Sequence, residues 1–214
     1  MVNLVEKTAE MVKHKLMGES SGHDWWHTYR VWKLAKNISK SENVNIEIVE
    51  LGALLHDIAD YKLNDGDEKI GGKVTREWLK NLNANKDLIN SVVHIVDNVS
   101  FIGGGKNKIK SLEGQIVQDA DRLDAVGAIG IARCFAYGGN KGREIYNPNI
   151  RPKLNMTKEE YKNNRGSSIN HFYEKLLLLK DLMNTDTGRK IAVKRHQFMK
   201  RYLNEFFTEW KGEK

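Results

Sequence analysis

Along nearly all of the 214 residues, apolar side chains recur at three- and four-residue spacing, and the β-branched alternation that marks strands is missing. A chain patterned this way buries its apolar faces by packing helix on helix. The expectation is an all-α, single-domain helical bundle, with a core over about residues 20–136 and C-terminal helices over about 158–211 completing it. Helices are expected over 3–17, 24–41, 46–58, 67–82, 86–99, 112–136, 158–182 and 186–211, the 158–182 stretch being a candidate for interruption. Asn45 is placed to cap the third, with Glu47 and Glu50 in its first turn, where negative charge suits the helix dipole. Two segments break the pattern. SFIGGGKNKIKS, at 100–111, is glycine-rich and basic; residues 137–157 hold both prolines, Pro148 and Pro152. A loop of the second length in a compact domain is usually functional or disordered.

Composition removes several function classes. The single cysteine, Cys134, makes no internal disulfide and excludes cysteine-rich zinc motifs, so any metal must be held by histidine and carboxylate. No apolar run approaches a membrane span, and MVNLVEKTAEMVKHK lacks the layout of a signal peptide, which leads to the expectation of a cytoplasmic protein with no membrane partner. The formal charge of +7 invites a nucleic-acid reading, but the 28 acidic residues are interleaved with the 35 basic ones and no basic arm stands out. The charge is read as a mild preference for small anionic ligands, with no nucleic-acid partner expected.

The dipeptide His-Asp occurs twice in the first sixty residues, in GHDWWHTYRV and in LGALLHDIAD. In a helix from 24 to 41, His27, Val31, Leu34 and Ile38 share one face, so His27 heads a stripe turned to the core. His23 lies one turn earlier on that face, while Asp24 points elsewhere. The second pair ends IEIVELGALLHDI, apolar on almost every side and therefore a buried helix. It carries His56 and Asp57 into the interior, where a carboxylate beside an imidazole is costly unless its charge is compensated; a metal ion does so economically. Further ligands come from QDADRLDAVGAIGIAR. Asp119 and Asp121 are about 200° apart on a helix, whereas Asp121 and Asp124 share a face. Asp119 can pair with Arg122 instead, and the small residues Ala125, Gly127, Ala128, Gly130 and Ala132 would let neighbouring helices approach. The candidate site is thus His27, His56, Asp57 and Asp121. Two imidazoles and two carboxylates suit Mn, Fe, Co, Ni or Mg in six-coordinate geometry, manganese heading the expectation and Zn being less natural.

This ordered set, His27 within HDWWHTYRVWKLA, His56 and Asp57 within LGALLHDIAD, and Asp121 within VQDADRLDAVGAIGIAR, resembles the H…HD…D signature of the HD-domain metal-dependent phosphohydrolases. It is most similar to their small single-domain bacterial branch, and the similarity extends through SINHFYEKLLLLKDL. The resemblance implies an all-α fold, a divalent metal, and hydrolysis of phosphoric ester or anhydride bonds, often in nucleotides. Some similar proteins cleave nucleoside triphosphates to monophosphate and pyrophosphate, some are nucleotidases, and others cleave cyclic nucleotides. Variants with an additional histidine pair hold two metals. Here only His94, in SVVHIVDNVSF, lies in the intervening region, so a complete second site is not expected.

A metal at this place is expected to acidify water and to neutralise phosphoryl oxygens. Asp60, one turn from His56, is the candidate to orient that water or take its proton, with Asp65 and Glu68 as further candidates. Arg30, Lys69, Lys106 and Lys108 are candidate phosphate-binding cations. His23 and His94 are candidate substrate contacts, and Asp124 is a candidate acceptor for a ligand histidine. GGGK at 103–106 is not a Walker loop, because no Ser or Thr follows and no strand precedes it. Trp25, Trp26 and Trp32 are expected to build core, Trp26 or the edge of Trp25 doubling as a base-pocket lining. Phe198, Tyr202, Phe206 and Trp210 are expected in core or dimer packing. The leading expectation is a nucleoside triphosphate phosphohydrolase, monomeric or homodimeric. The alternatives are a phosphodiesterase or monophosphate nucleotidase, and a non-catalytic metal or nucleotide sensor.

Overall fold

The computed structural model describes residues 3–18, 24–59, 69–99 and 109–213. Among these residues there is no strand, and the all-α expectation holds. The backbone divides into two compact units, residues 1–121 and 122–214, with the boundary inside one helix.

The first unit contains α1 (Leu4–Leu16), α2 (Trp25–Ser39), α3 (Ile46–Leu55), α4 (Ile70–Asn81), α5 (Lys86–Asn98) and most of α6 (Leu112–Asp124). Polar caps set most of the starts. Asn3 and Glu6 form a reciprocal capping box on α1, Asn45 accepts from the Glu47 and Ile48 amides, and Asn85 accepts from Leu88. Glu50, expected in the first turn of α3, instead takes Trp32 Nε1 at 3.0 Å and Lys36 Nζ at 2.5 Å. The middle of the unit is α3, which packs against α1, α2 and α5. From Val49 to Leu55 every residue but Glu50 is buried, as its unbroken apolar sequence requires. Val12, Leu51, Leu54, Leu55, Leu79 and Val92 fill the core around it. Trp25 is buried and Trp32 partly so, but Trp26 is 53% exposed and builds no core.

The second unit holds α7 (Gly127–Asn140), α8 (Lys158–Asn163), α9 (Ser168–Glu174), a 3-10 segment (Leu176–Leu182) and α10 (Asp186–Trp210). The single helix expected over 112–136 is therefore two. Gly127 has φ +81°, a left-handed conformation that a Cβ would strain, and Arg195 packs where that Cβ would stand. The small residues from Gly127 onward accordingly lie on α7, not on the helix of Asp121. The expected 158–182 helix is likewise three pieces, because Ser167 caps a new start through the Asn170 amide. Phe172, Leu179, Met199 and Leu203 form the buried centre of this unit. Phe198 and Trp210, expected to pack, are exposed, although Trp210 stacks on Phe206 and meets Tyr146 edge-on. No described helix is long and apolar enough to cross a membrane.

Candidate metal centre

In the first His-Asp pair, the aspartate serves the helix. Asp24 is the N-cap of α2 and accepts from the His27 amide at 2.8 Å. That cap fixes the first turn of α2, and His27 follows on the inward face with Val31, Ala35 and Ile38 buried beyond it. His27 is 1% exposed.

The second pair terminates α3. The helix expected to reach residue 58 stops at Leu55, and His56 is its C-cap residue. The last four carbonyls of a helix lack partners within it. One of them, Ala53, is met by His56 Nδ1 at 2.8 Å. In the neutral ring this contact places the proton on Nδ1 and leaves Nε2 with a free lone pair. That Nε2 lies 3.2 Å from His27 Nε2. Asp57 Oδ2 stands 3.3 Å from both nitrogens. Asp121, from α6, brings Oδ1 to 3.5 Å from His27 Nε2 and 3.9 Å from His56 Nε2.

Three donor atoms, from α2 and the end of α3, thus face one point, and Asp121 Oδ1 from α6 stands beside the two histidine nitrogens. A divalent ion with ligand bonds of about 2.1 Å has neighbouring ligand atoms about 3 Å apart, so the separations among His27, His56 and Asp57 fit one ion. The donor chemistry fits as well: two lone-pair nitrogens and one anionic oxygen leave coordination positions over in a six-coordinate ion. Among the described residues, His27, His56 and Asp57 are the group whose donor atoms all lie within 4.8 Å of one another. Burial alone would lower the pKa of His56, but the charge and hydrogen bond of Asp57, the charge of Asp121 and the Ala53 carbonyl raise it to about 9. The same carboxylates that hold a proton there would hold a cation. The histidines are enclosed while the Asp57 and Asp121 side chains are 20% and 28% exposed, so the site opens on its carboxylate side.

The other expected residues are placed less closely. Arg30 is half-buried one turn after His27 on α2. Lys69 is the N-cap position of α4 without a side-chain cap of its own. His94 is exposed on α5, its carbonyl accepting from Asn98 Nδ2 at 2.8 Å. Asp124 accepts from Arg133 Nη1 at 2.5 Å, and for His56 the acceptor is the Ala53 carbonyl. His23, Asp60, Asp65, Glu68, Lys106 and Lys108 lie outside the described residues.

Sequence reading did not anticipate Asp97. On α5, it accepts a hydrogen bond from the Gly72 backbone and so caps the start of α4 from a neighbouring helix. A Cβ on Gly72 would fall 2.2 Å from Asp97 Oδ1, so only glycine leaves room for this contact.

The sequence profile of the HD domain matches residues 25–126, a span that holds all four donor residues. A protein from Lactobacillus plantarum of known structure is 37% identical, with a TM-score of 0.85 covering 99% of this chain and 100% of its own. An HD-superfamily hydrolase from Bacillus thuringiensis is 46% identical, with a TM-score of 0.76 over 97% of this chain and 96% of its own. YpgQ of Bacillus subtilis, whose structure is known in complex with ADP, superposes with a TM-score of 0.76 over 96% of this chain and 97% of its own. By sequence, YpgQ is 40% identical across 97% of this chain and 94% of its own length. Likeness of that extent, on a chain that brings His27, His56 and Asp57 together, means that the protein belongs to the HD-domain family and has the fold of its hydrolases.

Proposed function

We propose that the protein is a divalent-metal-dependent phosphohydrolase of nucleotides that cleaves nucleoside triphosphates to monophosphate and pyrophosphate. The observation that carries this reading is the convergence of His27, His56 and Asp57 on one point, open on its carboxylate side, with Asp121 beside them as the proposed fourth ligand. A divalent ion held there, with manganese first in expectation, supplies Lewis acidity toward a phosphoryl group and an attacking water. The chain supplies the rest. The Ala53 carbonyl keeps the His56 proton on Nδ1, away from the converging atoms. The enclosing core excludes water from behind the histidines, so substrate enters across Asp57 and Asp121.

Asp60, three residues past Asp57, is the proposed group that orients the attacking water and accepts its proton, with Asp65 as a second carboxylate. Arg30, Lys69, Lys106 and Lys108 are the proposed phosphate-binding cations, His23 and His94 further contacts to substrate. The complex of YpgQ with ADP supports a nucleotide as the ligand class.

The test is a screen of the purified protein with Mn²⁺, Co²⁺, Ni²⁺ and Mg²⁺ against nucleoside mono-, di- and triphosphates and cyclic nucleotides, resolving phosphate from pyrophosphate. Pyrophosphate release from triphosphates that disappears in Asp60→Asn while the metal stays bound is the expected result. Release of phosphate from monophosphates would move the assignment to a nucleotidase. Nucleotide binding without turnover under any metal would make the protein a sensor.

A further inference from the structure

Charge is interleaved along the chain but divided in the fold. Residues 1–121 carry 16 basic and 18 acidic residues, whereas residues 122–214 carry 19 and 10, so the whole positive excess belongs to the second unit. Much of it is on α10. Between Asp186 and Glu205 there is no acidic residue. Arg189, Lys190, Lys194, Lys200 and Arg201 are all exposed in this stretch.

Their spacing puts them on one side of the helix. At 100° per residue, Lys190, Lys194 and Arg201 form one ridge, and Arg189 and Lys200 form a second beside it. Arg195 lies on the opposite side, where it donates to the Leu123 carbonyl and closes the end of α6. The buried residues Ala192, Met199 and Leu203 also point away from the basic face. From Arg189 to Arg201 the face runs about 18 Å, long enough to follow several successive phosphates of one strand.

We propose that this face of α10 binds nucleic acid, and single strands in particular. The cations match a phosphate backbone. Phe198, 42% exposed beside the ridge with the Arg201 guanidinium 5.7 Å from its ring centroid, offers an aromatic and planar-cation surface on which a base can stack. An anionic membrane fits less well. The exposed apolar residues Val193 and Phe198 are about 140° apart around the helix and form no continuous stripe to insert.

The experiment is fluorescence anisotropy of the full protein with a labelled 20-nucleotide single-stranded DNA and its RNA counterpart, from 50 to 200 mM salt. The expected result is binding whose log-log salt slope falls between about −2 and −4, as three to five phosphate contacts require. The triple variant Lys190→Glu, Lys194→Glu, Arg201→Glu should weaken binding at 50 mM salt by about 30-fold or more. The corresponding Gln variant should fall between, and Phe198→Ala should lose about 5-fold or more through stacking. Thermal melts confirm that each variant folds. The proposal is overturned by absence of binding at 50 mM salt, or by a folded triple variant that binds within twofold of the parent. It is equally overturned if anionic vesicles outcompete the oligonucleotide through the same residues, or if sedimentation shows that the triple variant separates a dimer.

Discussion

Each unit encloses a histidine, and the two are pushed in opposite directions. His56 in the first unit stands among the carboxylates of Asp57 and Asp121, and its pKa rises to about 9 against the burial that would lower it. His171 in the second unit loses water with no anion among the described residues to answer it. Desolvation, reinforced by Lys175 and Arg143, lowers its pKa to about 3. Enclosure of an imidazole therefore says nothing about its role by itself; the sign of the charge around it decides. Carboxylates turn the ring into a place for a proton or a cation. Cations keep it neutral, and its work is packing, here against Tyr161 with ring centroids 6.1 Å apart.

The sharpest way to break the comparison is to remove the anion. Asp57→Asn is expected to abolish tight divalent-metal binding and to lower metal-dependent turnover by more than about 100-fold, beyond the cost of changing a group outside the ligand set. Metal titration by calorimetry alongside product assay checks both. Replacing His171 with Gln should leave both readouts within about threefold.

Titration separates the two rings next. Folding raises the His56 pKa from 6.5 to about 9, so in metal-free protein its stabilising contribution is complete below pH 6.5 and lost as pH rises through 9. A fall in Tm on the order of 5 °C across that window is expected in chelator, and it should vanish in Asp57→Asn. For His171 the folded pKa of about 3 lies below 6.5, so folding expels a proton and stability drops as pH falls from 6.5 toward 3. His171→Gln should flatten that acid limb by a few degrees of Tm. An unchanged acid limb would mean that other groups govern it.

The smallest effect distinguishes the two His-Asp pairs. Asp24→Ala removes a cap and should cost about 1 kcal/mol, or 2–4 °C in Tm, with metal still bound. Loss of metal in that variant would show that the cap holds His27 in place as well as starting α2.

The helices with strong periodicity and polar caps, α1, α2, α5 and α10, were legible to within a residue or two, because both signals are local. The meeting of His27, His56 and Asp57 was legible for a related reason: an apolar helix that ends in His-Asp has nowhere to put the pair except inside. The break between α6 and α7 was not, since the small apolar residues continue the helical pattern through Ala125 and Val126, while the left-handed turn at Gly127 depends on Arg195, more than sixty residues away. The basic face of α10 was not legible although its residues fall within thirteen positions. A tally of charge along the chain averages over units that only the fold separates. The Asp97 contact with Gly72 is invisible for the same reason as any pairing between helices: its two halves are separate words until α4 and α5 meet.

His56 closes the end of α3 with one nitrogen and faces the other donors with the second. Stability and the proposed chemistry are therefore tied at this position, and they are untied at Asp121, whose side chain is partly exposed on α6. A gene copy released from selection for turnover but kept for its shape is expected to shed Asp121 early and to retain His56 longest. In lineages where the reaction has been abandoned, a surviving histidine at this helix end would be a record of architecture and no evidence of catalysis.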